Sequence, residues 1–173
     1  AELVDPANPG GTVPFGSYFT LNSVAMDGRS ASVSDIDGAL SLALPSGKPT
    51  RLVPSRLDGV TPIGGAAQPL PDGWLQLDSV YDKTSGGFTE HLVFDNGHTA
   101  RELYTTPNPR GSIDSFSVSP GSQYVAIETT PDVATAKPDG YRVNGRSTLV
   151  ATEFVDLRTG ALLKTVSGFD AQW

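Results

Sequence analysis

The sequence predicts an all-β fold built from repeated four-stranded antiparallel units, and three observations carry that prediction. Glycine (19) and proline (14) together make close to a fifth of the 173 residues, against about 12% in average proteins, so the excess acts as punctuation between many short segments. Apolar residues at i, i+3, i+4 and i+7 are interrupted by Gly or Pro almost everywhere, which leaves no amphipathic helix pattern. Turn dipeptides recur instead: Asp27-Gly28, Asp37-Gly38, Asp58-Gly59, Asp72-Gly73, Asn96-Gly97, Asp139-Gly140 and Asn144-Gly145. Such pairs tolerate the positive φ that tight hairpin turns require.

Taken from the N-terminus, residues 1–16 read as a flexible tether, because Asp5-Pro6-Ala7-Asn8-Pro9-Gly10-Gly11-Thr12-Val13-Pro14 holds three Pro and two Gly and little to bury. Residues 17–173 read as one all-β domain. Runs of β-branched, aromatic and aliphatic residues between turn signals place strands at 18–24, 31–33, 40–44, 74–80, 90–94, 102–104, 115–118, 124–127, 148–157 and 161–166. Ten short strands in one domain call for stacked sheets, a barrel, or blades.

Spacing selects among these. Met26-Asp27-Gly28-Arg29, Pro71-Asp72-Gly73-Trp74 and Ser119-Pro120-Gly121-Ser122 each separate two strands, and Gly28, Gly73 and Gly121 stand 45 and 48 residues apart, inside the period of about 40 to 50 residues of propeller blades. A second series, Pro45-Ser46-Gly47-Lys48, Asp95-Asn96-Gly97-His98 and Arg158-Thr159-Gly160-Ala161, turns each unit into its last strand. The units therefore span about 17–55, 66–107 and 111–168, the last lengthened by an insertion over 128–147. A β-sandwich is the alternative, since about ten strands also fit two packed sheets.

Residues 113–127, Ile-Asp-Ser-Phe-Ser-Val-Ser-Pro-Gly-Ser-Gln-Tyr-Val-Ala-Ile, followed by Phe154-Val155-Asp156-Leu157-Arg158-Thr159-Gly160, resemble one blade of the TolB-type and WD-repeat-like β-propeller families. In those families a strand ends in a Ser-Pro-Asp-Gly turn and a later one in Val-Asp-x-x-Thr-Gly; here the Asp before Gly121 is missing. The likeness is good over 111–166, fair over 70–104 and poor over 18–52. It implies antiparallel propeller-like blades, partial or open because three blades do not close a ring. It implies no particular reaction, since these families include binding modules, scaffolds and domains attached to hydrolases. Trp173 follows Gly168 by the same five residues that separate Phe116 from Gly111, which places it where a further unit would begin.

Twelve Lys and Arg against 19 Asp and Glu give a net charge of −7, which argues against nucleic acid or anionic lipid as partner. No run approaches the roughly 18 apolar residues of a membrane-spanning helix, and Ala1-Glu2-Leu3-Val4-Asp5 has neither a basic nor an apolar signal region. The chain has no cysteine, which excludes thiolate metal sites, thiol nucleophiles and disulfides. No cofactor is expected.

A search for chemistry finds neither Gly-x-Ser-x-Gly nor a phosphate-binding loop; Leu42 stands where the latter needs Gly and Pro49 where it needs Ser or Thr. His91 and His98 fall on opposite arms of one expected hairpin, either as a site needing further ligands or as solvated side chains near a turn. Ser34-Asp35-Ile36-Asp37-Gly38 places two carboxylates before a Gly as a calcium loop does, without its third acid or distant Glu; an Asp-Gly turn is the plainer reading. Asp78 and Asp82 bracket Tyr81 and offer a carboxylate pair for glycoside chemistry, or merely solvated acids. Trp74 and Trp173 read as packing side chains. No residue is assigned a catalytic or metal-binding role.

The insertion is the candidate contact element, because a loop of about 20 residues is uncommon in a compact domain. Its Tyr141, Arg142, Asn144 and Arg146 combine an aromatic ring and two arginines around a turn, residue types that anchor contacts. The expected function is a non-enzymatic binding or scaffold module, extracytoplasmic and of the cell envelope, contacting a protein or a cell-wall component through its loops. The alternatives are an accessory propeller segment of a larger hydrolase and a small carbohydrate-active domain; oligomerisation or membership of a longer chain is also consistent with three open blades.

Overall fold

The computed structural model describes residues 2–5, 8–14, 16–25, 27–44, 46–57, 59–138, 140 and 147–173. Fourteen strands and no helix occur among them, and none of them forms a helix long and apolar enough to cross a membrane. Within the stretch read as a tether, β1 (Glu2–Asp5) and β2 (Asn8–Pro14) pair as a separate antiparallel two-stranded sheet.

Three four-stranded antiparallel sheets follow. The first holds β3 (Thr20–Val24), β4 (Ser30–Asp35), β5 (Gly38–Ala43) and β6 (Lys48–Arg51). The second holds β7 (Ile63–Leu70), β8 (Gly73–Asp82), β9 (Gly87–Asp95) and β10 (Ala100–Thr105). The third holds β11 (Ser112–Val118), β12 (Tyr124–Thr130), β13 (Ala151–Asp156) and β14 (Leu162–Ser167). In every sheet the spatial order equals the chain order. Each is thus a simple meander with no crossover, and the chain is an all-β, propeller-like array rather than a two-layer sandwich.

All ten strands expected from the sequence are present, and β1, β2, β6 and β7 are additional. Lys48-Pro49-Thr50-Arg51 carries too little apolar character to announce a strand; pairing with β5 through Leu40–Arg51 and Leu42–Pro49 makes it one. In β7, Gly64 and Gly65 stand at a register shift between Gly64 and Ala67. A Cβ at Gly64 would lie 2.5 Å from Gln76 Nε2 and 2.7 Å from Pro54 Cγ. The glycine that hides the strand from a propensity reading is therefore what lets another chain segment lie against it.

Strand alternation gives the second sheet two different faces. Leu75, Leu77, Leu92 and Phe94 point to the third sheet and join Val118, Val125, Ile127 and Val155 in the main hydrophobic core. Trp74, Gln76, Asp78 and Asp95 point the other way. There Trp74 and Ala67 meet Ala39 and Leu52 at the first sheet, and Ser23 Oγ donates to the Ala67 carbonyl at 3.2 Å. The outer face of the first sheet holds a third cluster of Val33, Leu40 and Leu42, with Tyr18 against it.

Meander topology also sorts the connections by end of the array. The bends after the first and third strands of each sheet share one end; the bends after the second strands and the links between sheets share the other.

Candidate functional site

The longest connection inside a sheet joins β12 to β13 at the end that carries the inter-sheet links. Its start differs from the expected insertion: β12 runs to Thr130, and Glu128, Thr129 and Thr130 are buried, so the excursion begins at Pro131. Its base is held on both sides. Arg110 in the preceding link pairs with Asp132 at 2.8 Å, the Val133 N–H donates to the Arg110 carbonyl at 2.8 Å, and Asn108 Nδ2 donates to the Pro131 carbonyl at 3.3 Å. The Asp132 carboxylate accepts the Ala134 N–H at 2.9 Å, which shapes the first turn. Further out, Pro138 and Ser147 form an antiparallel bridge and the Thr148 N–H reaches the Lys137 carbonyl at 2.9 Å. The excursion is an arm with two closed points. Tyr141, Arg142, Asn144 and Arg146 lie outside the described residues.

The other residues singled out in the sequence fall elsewhere. His91 lies within β9, and its Nδ1 meets Glu102 Oε2 at 2.7 Å and Thr105 Oγ1 at 3.0 Å. His98 lies in the bend, where its N–H and that of Thr99 are held by Asn96 Oδ1 at 3.0 and 2.8 Å. The two rings do not share a site, because the register pairs His91 with Thr105 rather than with the bend.

Asp35 and Asp37 do not form an open cation loop. The Arg51 guanidinium grips both oxygens of Asp35 at 2.7 Å and stands 4.0 Å from Asp37, while the Asp37 N–H donates to Asp35 Oδ1 at 2.8 Å. The hydrogen bonds from Arg51 hold the Asp35 carboxyl below its usual range. A guanidinium fork thus occupies the place a cation would take.

Asp78 and Asp82 do not face each other. Four residues of strand separate them, roughly 13 Å, beyond the span of a glycosidase pair. Asp82 caps the next bend, accepting from the Thr84 N–H and Ser85 Oγ, both at 2.8 Å. Asp78 is buried, and its neighbour in charge is Asp95, a residue the sequence marked only as part of a turn. Burial first, then the negative charge of Asp95, pushes the Asp78 carboxyl up to about 7. Asp95 accepts from Ser55 Oγ at 2.5 Å and from the Gly97 N–H at 2.7 Å. Asp78 Oδ1 and Gln76 Nε2 have no hydrogen-bond partner among the described residues. A single raised carboxyl does not make a catalytic pair. Among the described residues no three His, Asp or Glu side chains gather as a metal site would require.

Trp74 donates through Nε1 to Gln76 Oε1 at 3.2 Å between the first two sheets. Trp173 lies on the outer face of the third, its ring centroid 6.5 Å from that of Tyr124 and 5.8 Å from that of Phe154. The six residues from Gly168 cross that face with the Asp170 N–H on the buried Glu128 carboxylate. The same offset recurs one sheet earlier: two residues after Gly111, the Ile113 N–H donates to Glu90 Oε2 at 2.6 Å.

No protein-family model matches the chain, and no curated protein matches it. Among solved structures the chain is similar to dihydro-heme d1 dehydrogenase NirN in complex with DHE, at 17% identity and a TM-score of 0.28, over 94% of this chain and 49% of that one. The chain spans about half the length of that neighbour, and its architecture rests on its own three sheets.

Proposed function

We propose that the chain is a non-enzymatic binding or scaffold module of the cell envelope that engages a protein or a cell-wall component through the arm between β12 and β13. The observation that supports this reading is the built base of the arm, held by the Arg110–Asp132 pair and the Pro138–Ser147 bridge. Ordering the root lowers the conformational entropy a partner must overcome to engage the segment between Pro138 and Ser147. Between Pro138 and Ser147 the sequence supplies Tyr141, Arg142, Asn144 and Arg146, an aromatic and two cations on a chain of net charge −7, suited to an acidic or hydroxyl-rich surface.

The test replaces residues 139–146 with a two-residue turn and, separately, converts Arg142 and Arg146 to Gln. Co-sedimentation with purified peptidoglycan and cross-linking to isolated envelope proteins are measured, with circular dichroism as the control for folding. Both variants are expected to keep the β spectrum and to lose at least tenfold in binding. Undiminished binding by the shortened arm would refute the reading.

A further inference from the structure

We infer that the opposite end of the array carries a binding site for a small ligand bearing an oxyanion, a carboxylate or a phosphate. The first bend of each of the three sheets falls at this end, and together they line one cleft of about 540 Å³ that includes Arg29, Pro69, Pro120 and Ser122. That volume is within the usual range for a small-molecule site. A neighbouring hollow of about 410 Å³ shares Leu70, Pro71, Gly121 and Ser122 with the cleft and adds Phe94, Arg101 and Arg158. The repeat thus converges on one continuous depression, which no single sheet could form.

Charge gives this depression its ligand class. On a chain of net charge −7, three arginines border it. Arg101 is committed: its guanidinium lies 5.6 Å from the Phe94 ring centroid and donates to the carbonyls of Leu157 and Arg158, which fixes the last bend of the third sheet. Arg158, on that bend, and Arg29, on the first, are exposed. Asp27 lines the cleft and Asp72 the second hollow, and two nearby acids are engaged by the bends. Asp27 accepts the Arg29 N–H at 2.9 Å, and Asp156 accepts the Thr159 N–H and hydroxyl at 2.7 and 2.8 Å. Two guanidinium forks are therefore available to a carboxylate or phosphate, and Leu70 with the prolines offers an apolar wall for the rest of the ligand.

Ser122 supports the same assignment from a different direction. It lines both hollows and holds φ at 51°, a left-handed conformation that glycine adopts at no steric cost and serine does not. Its N–H donates to the Ser119 carbonyl at 2.8 Å. Serine here places a hydroxyl at the junction of the two hollows against the preference of the backbone, a pattern associated with functional positions.

Calorimetric titration of the full chain with citrate and with inorganic phosphate tests the site. At least one probe is expected to bind, and the tighter one identifies the oxyanion. Arg29→Gln and Arg158→Gln should each weaken binding at least fivefold, and Ser122→Gly should weaken it while raising the thermal midpoint. Lys83→Gln, at the other end of the array, and the shortened arm should bind as the parent does, which separates this site from the proposed function of the arm. Absence of binding by both probes, equal binding by the arginine variants, or equal weakening by Lys83→Gln would overturn the inference.

Discussion

The second sheet meets its two neighbours through different chemistry, aliphatic on one side and mixed on the other, where buried polar groups lie beside the Trp74, Ala67, Ala39 and Leu52 cluster. Towards the third sheet it presents Leu75 and Leu92, both fully buried, against Val125 and Ile127, also fully buried. Towards the first it presents Gln76, Asp78 and Asp95, all buried, beside Ala67 and the Ser23 and Ser32 side chains of the first sheet. Aliphatic packing is non-directional and rewards area alone, so the second seam tolerates small shifts of one sheet over the other. A polar seam is directional: each buried group gains about 1 kcal/mol when bonded and costs about 1–3 kcal/mol when not. The first seam thus contributes less stability per residue and fixes position more strictly.

The largest effect expected from this contrast is at the aliphatic seam. Leu92→Ala removes a fully buried side chain and should cost about 3–5 kcal/mol, read as a fall in the urea midpoint. If the loss were below about 1 kcal/mol, the two sheets would not share a core.

Next in size is the close approach at the polar seam. Gly64→Ala places a methyl within 2.5 Å of the Gln76 amide and 2.7 Å of Pro54, and should cost about 1–3 kcal/mol through the displaced link. Hydrogen exchange in β7 should rise while exchange in β12 stays slow; uniform acceleration in both strands would mean the seams do not open separately.

The Asp78 carboxyl sharpens the comparison further. Its raised value of about 7 means the folded state holds a proton that the unfolded chain releases near pH 4. Stability from this group is therefore full below about pH 4 and falls as pH rises through 7, by at most about 1.4 kcal/mol per pH unit. Asp78→Asn keeps the shape without the charge and should flatten the thermal midpoint between pH 5 and 8, with the variant more stable than the parent at pH 8. An unchanged pH profile would place the proton elsewhere.

The smallest expected effect is on the outer face of the third sheet. Trp173 is 47% exposed, and its loss in Trp173→Ala should cost about 0.5–1.5 kcal/mol through the Tyr124 and Phe154 contacts. The loss should change near-ultraviolet circular dichroism without altering β content. Unfolding in this variant would make the tail a structural part of the third sheet.

Local chemistry made the strands and bends legible. Asp72-Gly73 and Asn96-Gly97 mark turns because their backbones reach φ values few residues tolerate, and 90–94 marks a strand because its apolar side chains alternate. Those signals are complete within a few residues. The β7 strand was illegible because its glycines and proline are chosen for what lies across from them. The separation of His91 from His98 depended on the register of one hairpin, and the fate of Asp35 depended on Arg51, two strands away in the same sheet. Asp95 looked like a turn residue and is one, through the Gly97 N–H, but it is also the charge that faces Asp78.

The amino-acid sequence by itself determined the class of the fold, the number of units and the chemistry of the bends, because turn propensity and strand alternation act between neighbours in the chain. Only the tertiary structure decided which face of each strand meets a leucine and which a carboxylate, and which bends gather around one depression. Those outcomes depend on register and on sheet-against-sheet packing, where residues far apart in the chain lose water together and the free energy belongs to the contact rather than to either partner.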